Sequence, residues 1–190
     1  MSLDNYLFFC SHDKNSYDSN KDRAVFSQWR YSKFIENNIT FNSGEQYMMY
    51  HKAILMNDEQ SASKILNVNI YDSSLTNESK VNYNKISYIK QLGRKIKNFN
   101  QKIWDEHKFN IVKNGNLLKF TQNEDLKKIL LSTGNKILIE AAHYDKIWGI
   151  GLKEEDAKLI DPNKWSDYGQ NLLGQSLMWV RKQIRDLNNN

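Results

Sequence analysis

One cysteine and one proline occur in the 190 residues. With Cys10 alone, an internal disulfide and a cysteine-based metal site are both excluded, which suits a reducing, intracellular compartment. The chain has no run of about 18 apolar residues, so no membrane span is expected. Its first residues, Met-Ser-Leu-Asp-Asn-Tyr, lack the basic-then-apolar pattern of a secretory leader. Neither Gly-x-Gly-x-x-Gly nor Gly-x-x-x-x-Gly-Lys-Ser/Thr is present, and histidines 12, 51, 107 and 143 are not spaced as a zinc-binding helix. A Gly-x-Ser-x-Gly nucleophile elbow is missing too. These absences set aside dinucleotide, P-loop, zinc and serine-nucleophile chemistry, and they point to a soluble, cytoplasmic protein that uses no metal and no cofactor.

What is present is more modest in kind. A net charge of +5 and a pI near 9.1 permit attraction to phosphate. The basic residues read as spread along the chain rather than gathered into a stripe. Five tryptophans, ten tyrosines and eight phenylalanines are enough for a core with some rings left over to stack on a ligand. The length favours a single domain over 1–190, two small lobes being the alternative.

The local patterns predict a helix-rich α+β fold with a few short strands. Tyr6 to Cys10 and Val25 to Trp29 read as two short strands joined by a polar loop, Ser11 to Asp22. Ser43, with Gln46 three positions on, fits a capping box opening a helix to about Asn57. Glu59 to Leu66 reads as a second helix, and Asn67 to Asn84 as an exposed polar insertion. From Lys85 to Lys113 the positions Ile86, Ile89, Leu92, Ile96, Phe99, Ile103 and Trp104 recur at three and four, predicting two helices that meet near Lys97 to Asn100. Thr121 and Glu124 repeat the capping-box pattern, with Gly134 as the left-handed cap of that helix. Lys136 to Ala142 reads as a buried strand that delivers Glu140, His143, Asp145 and Trp148 to its far end. Gly149 and Gly151 bracket a tight turn or close approach. After Pro162, the stripe Leu173, Leu177, Val180, Ile184 and Leu187 predicts a final helix from about Gln170.

Chemistry is carried by acids, one amine and large rings. Glu45 and Lys52 are seven apart, so on a helix they share a face about 10 Å apart, too far for a salt bridge. Each needs a partner elsewhere, in a cleft or, on the plainer reading, in solvent on a polar stripe. Glu45 in the first turn is also favoured simply by the helix dipole. Trp104 could be core, and Asp145 could cap the turn after its strand.

Taken together, the ordered blocks resemble a known family. Glu45-Gln46-Tyr47 with Lys52-Ala53, Leu92-Gly93-Arg94, Trp104, Lys119-Phe120 with Gln122-Asn123, and Leu130 through Thr133-Gly134 form the first group. Glu140-Ala141, Asp145, Trp148-Gly149-Ile150-Gly151-Leu152, Trp165, Asn171-Leu172-Leu173-Gly174, Leu177-Met178 and Val180-Arg181 follow. The pattern, over about 26–185, resembles the NADAR family, which includes YbiA-type N-glycosidases. It departs in the insertion from about Asn67 to Ser87 and at Ser27-Gln28-Trp29-Arg30, where the family commonly has Ser-Asn and an aromatic residue.

The resemblance implies a YbiA-like fold and hydrolysis of a ribosyl N-glycosidic bond without a cofactor. The substrate it implies is either ADP-ribosylated guanine in DNA or RNA or a phosphorylated ribosylamino-pyrimidine of riboflavin synthesis. It assigns catalysis to Glu45, Trp104 and Asp145, with Lys52 as a lysine that can attack the anomeric carbon. Arg94, Glu140, Trp148, Gly149 and Asn171 are then candidates for holding a ribose phosphate or ADP-ribosyl substrate. The alternative from another class is a non-catalytic binder of ADP-ribose or nucleic acid. The sequence leaves the oligomeric state open.

Overall fold

The computed structural model describes residues 3–10, 21–71 and 82–188. Its contacts divide the chain into two compact units, 28–123 and a second made of 1–27 with 124–190. Most of the expected Ser11 to Asp22 loop, and 72–81 of the expected insertion, lie outside the described residues.

Unit 28–123 begins with a hairpin of β2 (Phe34–Glu36) and β3 (Ile39–Phe41), antiparallel with Ile35 opposite Thr40. Its two-residue turn puts both Asn37 and Asn38 at positive φ, the conformation a two-residue hairpin needs and one that asparagine tolerates. Four helices follow: α1 (Gly44–Leu55), α2 (Glu59–Leu66), α3 (Tyr83–Arg94) and α4 (Gln101–Thr121). Helix α1 is central, packing on α2, α3 and α4. Phe34, Phe41 and Tyr47 make a buried aromatic cluster between the hairpin and α1. Below it the Glu36 carboxylate accepts the Tyr47 hydroxyl at 2.7 Å and lies 2.8 Å from His51 Nε2. Burial and the Glu36 charge push the Tyr47 hydroxyl well above its usual pKa. Burial lowers His51, and Glu36 opposes that shift.

The other unit holds a parallel pair, β1 (Tyr6–Phe9) beside β4 (Ile137–Glu140), with Phe8 opposite Ile139. Helices α5 (Glu124–Ser132), α6 (Glu154–Ala157) and α7 (Leu172–Asn188) complete it, α7 packing on β4. Phe8, Ile139, Ala141, Ile150, Ala157 and Trp165 form its core, and Trp165 meets Tyr6 and Phe8 edge-on at 5.0 and 5.4 Å. The Trp165 indole N–H donates to the Ala157 carbonyl, so its polar edge is satisfied inside the core. Gly134 has φ +56 and follows α5 as the left-handed cap its position suggested.

Several expectations are corrected. Val25 to Trp29 is no strand: Lys21–Phe26 is a 3-10 turn, and Val25 and Phe26 are buried by it. The β2–β3 hairpin was not anticipated. Thr121 does not cap α5; it closes α4, its hydroxyl donating to the Leu117 carbonyl at 2.7 Å. The described ends of the insertion are not simply exposed loop, because Ile70 is fully buried and its carbonyl accepts the Asn82 N–H at 2.9 Å. Among the described residues no helix is long and apolar enough to cross a membrane.

Candidate active site

The start of α1 is unusually buried for a helix end. Ser43 is its N-cap, accepting the Gln46 N–H at 3.1 Å. The reciprocal half of a capping box is shifted: Gln46 Oε1 accepts the Asn42 N–H, one residue earlier, while its amide donates to the carbonyls of Ile65, Leu66 and Val68. Gln46 thus ties the α1 start to the end of α2. Glu45 is only 3% exposed, and its N–H donates to the Gln28 carbonyl at 2.9 Å. A solvated polar stripe is not what the helix presents here, since every residue from Gly44 to Met49 is buried.

Lys52, two turns on, is half-buried in an aromatic cradle. Its ammonium donates to the Gly93 carbonyl at 3.0 Å and lies 4.3 Å from the centre of the Phe99 ring and 5.5 Å from that of Trp104. Burial lowers the pKa of this amine; the Glu45 charge opposes the shift and the Arg94 charge adds to it. The cradle depends on a close helix approach, because a Cβ on Gly93 would fall 1.9 Å from Met49 Sδ. Glu45, Lys52, Arg94 and Trp104 are therefore electrostatic or direct neighbours within one unit, Arg94 being exposed at the end of α3 and Trp104 buried on α4.

The remaining candidates belong to the unit built on β1 and β4. Asp145 Oδ1 accepts the N–H groups of Ile147 and Trp148 at 2.9 and 2.8 Å, so one carboxylate oxygen holds the turn after β4. Asn171 Oδ1 accepts the Glu140 N–H and its Nδ2 donates to the Leu138 carbonyl, which braces β4 and fixes Glu140, itself buried, at the strand end. Gly149 sits where a Cβ would meet the Glu140 and Asp145 carbonyls at 2.9 and 3.0 Å, holding half-buried Trp148 against this turn. At the carboxyl ends of the parallel strands lies a cavity of about 380 Å³ whose lining includes Cys10, Arg23, His143, Tyr144 and Lys153. Among the described residues no three His, Cys, Asp or Glu side chains converge to hold a metal ion.

Three residues that the sequence did not single out for a site role are notable: Phe99 and Gln28 stand beside the amine and the acid, and Lys119 is buried on α4. Phe99 counts in the apolar period and falls in the α3–α4 turn, where the two helices are expected to meet, yet it is 42% exposed. Gln28, at the point of departure from the family pattern, crosses Gly44 and donates to the Asn116 side chain at 3.0 Å. Lys119, on α4, is fully buried, and its pKa is lowered to about 7 by burial and then by the Arg30 charge. A lysine beside phenylalanine in an amphipathic helix gives no signal of such burial.

The comparisons agree with this architecture. The NADAR domain model matches residues 8–185. "N-glycosidase R617" of Acanthamoeba polyphaga mimivirus is 43% identical over 96% of this chain and 98% of its own length. "Protein irg-1" of Caenorhabditis elegans is 36% identical over 77% of this chain and 62% of its own, and "N-glycosidase Npun_R5314" of Nostoc punctiforme 34% over 44% and 46%. The NMR structure of the E. coli protein YbiA superposes with a TM-score of 0.67 at 20% identity, over 100% of this chain and 90% of that one, so the fold is YbiA-like. The chain belongs to the NADAR family.

Proposed function

We propose that this protein is a hydrolase of N-glycosyl bonds that cleaves the bond between ribose C1′ and a base nitrogen in a nucleotide-like substrate, with Lys52 as the attacking amine. The observation that carries the reading is the cradle: a lysine whose pKa is lowered by burial, aimed across aromatic rings, on the same helix face as buried Glu45.

Cleaving this bond builds positive charge on C1′ and the ring oxygen while the departing nitrogen gathers electrons. Ionised Glu45 stabilises that charge. Neutral Lys52 adds to C1′, the base leaves with a proton, and the ring opens to a Schiff base between C1′ and Nζ, the ring oxygen becoming a hydroxyl. Water then adds to the C=N bond and expels the amine, giving free sugar and unchanged Lys52. Asp145 is the second acid, serving proton transfer to the leaving base or water. Trp104 keeps water off the amine, Arg94 takes substrate phosphate, and Glu140, Trp148, Gly149 and Asn171 bind or brace for substrate.

Two substrates fit this chemistry: ADP-ribosylated guanine in nucleic acid and a phosphorylated ribosylamino-pyrimidine. Incubating the protein with each, and following release of ADP-ribose or ribose phosphate, tests the reading. Glu45→Ala and Asp145→Ala are expected to lose at least a hundredfold in rate, on the scale of a removed charge-stabilising or acid-base group. Unchanged rates in both variants would remove the mechanism, and tight ADP-ribose binding without turnover would favour the binding-module reading.

A further inference from the structure

The basic residues are gathered after all, at the mouth of the Lys52 cradle. The stretch 83–104 carries Lys85, Lys90, Arg94, Lys95, Lys97 and Lys102 and no acid; the chain's 27 basic and 22 acidic residues, less these six, leave 21 against 22. The excess of positive charge therefore resides in 83–104, which is α3, the α3–α4 turn and the start of α4, and four of its six cations lie at the end of α3 or beyond it. Arg94, Lys95, Lys97 and Lys102 are exposed there, together with Phe99 at 42% and Ile103 at 38%. Two of the acids near them are already engaged. Asp58 accepts the N–H groups of Ser61 and Lys97, and Asp105 pairs with Lys108. The Lys97 ammonium rests on the Gln60 amide oxygen at 3.3 Å.

Cations spaced along an irregular turn, with an exposed ring set among them, suit a chain of phosphates with bases free to stack. A duplex would use the charge and leave the ring idle. A small nucleotide would use one or two of these cations and leave the others without a role.

We propose that the α3–α4 turn of unit 28–123 is a docking ridge for single-stranded nucleic acid, in which Lys95, Lys97 and Lys102 track the phosphodiester backbone and Phe99 stacks on a base. The ridge lies beside Lys52, whose ammonium is 4.3 Å from the Phe99 ring. This deepens the N-glycosidase reading, and rests on it, only in what the docked strand would offer the amine. It selects nucleic acid over the free pyrimidine as the carrier of the scissile bond.

The test is binding of an unmodified fluorescent single-stranded oligonucleotide, by anisotropy, between 50 and 200 mM salt. About four phosphate contacts give a slope of log K against log salt near −3, hence an affinity loss of about 50-fold over that range. Lys95→Gln with Lys97→Gln and Lys102→Gln should flatten the slope by about 2 and weaken binding at least tenfold, with an unchanged melting temperature. Phe99→Leu should weaken the single strand and leave duplex binding as it was. The matched removal of Lys128, Lys136 and Lys182, exposed elsewhere, should cost far less. Equal losses in both triple variants, or no binding at 50 mM salt, would overturn the ridge. Hydrolysis enters none of these readings, so a failure of docking and a failure of the glycosidase assignment are told apart.

Discussion

Lys52 is pulled in two directions. Burial and the Arg94 charge favour the neutral amine, whereas Glu45, the Gly93 carbonyl and two ring faces favour the ammonium. Removing Arg94 should therefore raise the Lys52 pKa, and Arg94→Gln should move the rise of the pH–rate profile to higher pH. Glu45→Gln should lower the Lys52 pKa, so that borohydride trapping at neutral pH persists while turnover falls. An NMR titration of the lysine side chain checks both signs without any assay of activity. Lys119 gives a stability test. Its pKa is about 7 folded and near the ordinary 10.5 unfolded, so between those values the unfolded chain binds more protons. Stability should climb through that window by up to about 1.4 kcal/mol per pH unit. In Lys119→Met, denaturant unfolding at several pH values should lose this climb. The sequence exposed the Glu45 and Lys52 spacing because helix geometry fixes it. It concealed Lys119 and Phe99 because burial is decided by residues far away in the chain.

At the scale of the element, α1 owes its position to its first turn. Ser43→Ala removes the cap of a buried helix end and should cost about 1 kcal/mol in urea unfolding. Gln46→Leu should cost more, roughly 2–3 kcal/mol, because three carbonyls and one N–H lose their partner in the interior. Asp58 caps α2 and also accepts the Lys97 N–H; hydrogen bonds from Ser61 and Lys97 hold its carboxyl below the usual range. Its support is present above the unfolded carboxylate pKa and lost as pH falls through the lower folded one, so Asp58→Ala should flatten the acid limb of unfolding. Helices α1, α3, α4 and α7 were legible from a cap or from periodic apolar positions. The Phe34–Phe41 hairpin was legible in principle, from two apolar-bearing triplets around Asn37-Asn38, where side chains tolerant of positive φ mark a two-residue turn. The Thr121 pattern misled because a threonine can return its hydroxyl to the preceding turn as readily as it can cap the next helix.

For the whole molecule, the blocks that carry the family resemblance fall in both compact units, and the family model covers both. Ordered motifs identify a family well because they sample many elements at once, whereas composition hid the basic ridge by averaging its charge over the chain. The central claim is that this protein breaks a ribosyl N-glycosidic bond through Lys52. Its most direct test is mass-spectrometric mapping after incubation with ADP-ribosylated guanine oligonucleotide in the presence of borohydride. The account predicts a reduced sugar adduct on the peptide containing Lys52 in the native protein, and neither adduct nor turnover in Lys52→Met. Full turnover in Lys52→Met, or an adduct on another lysine, would contradict it.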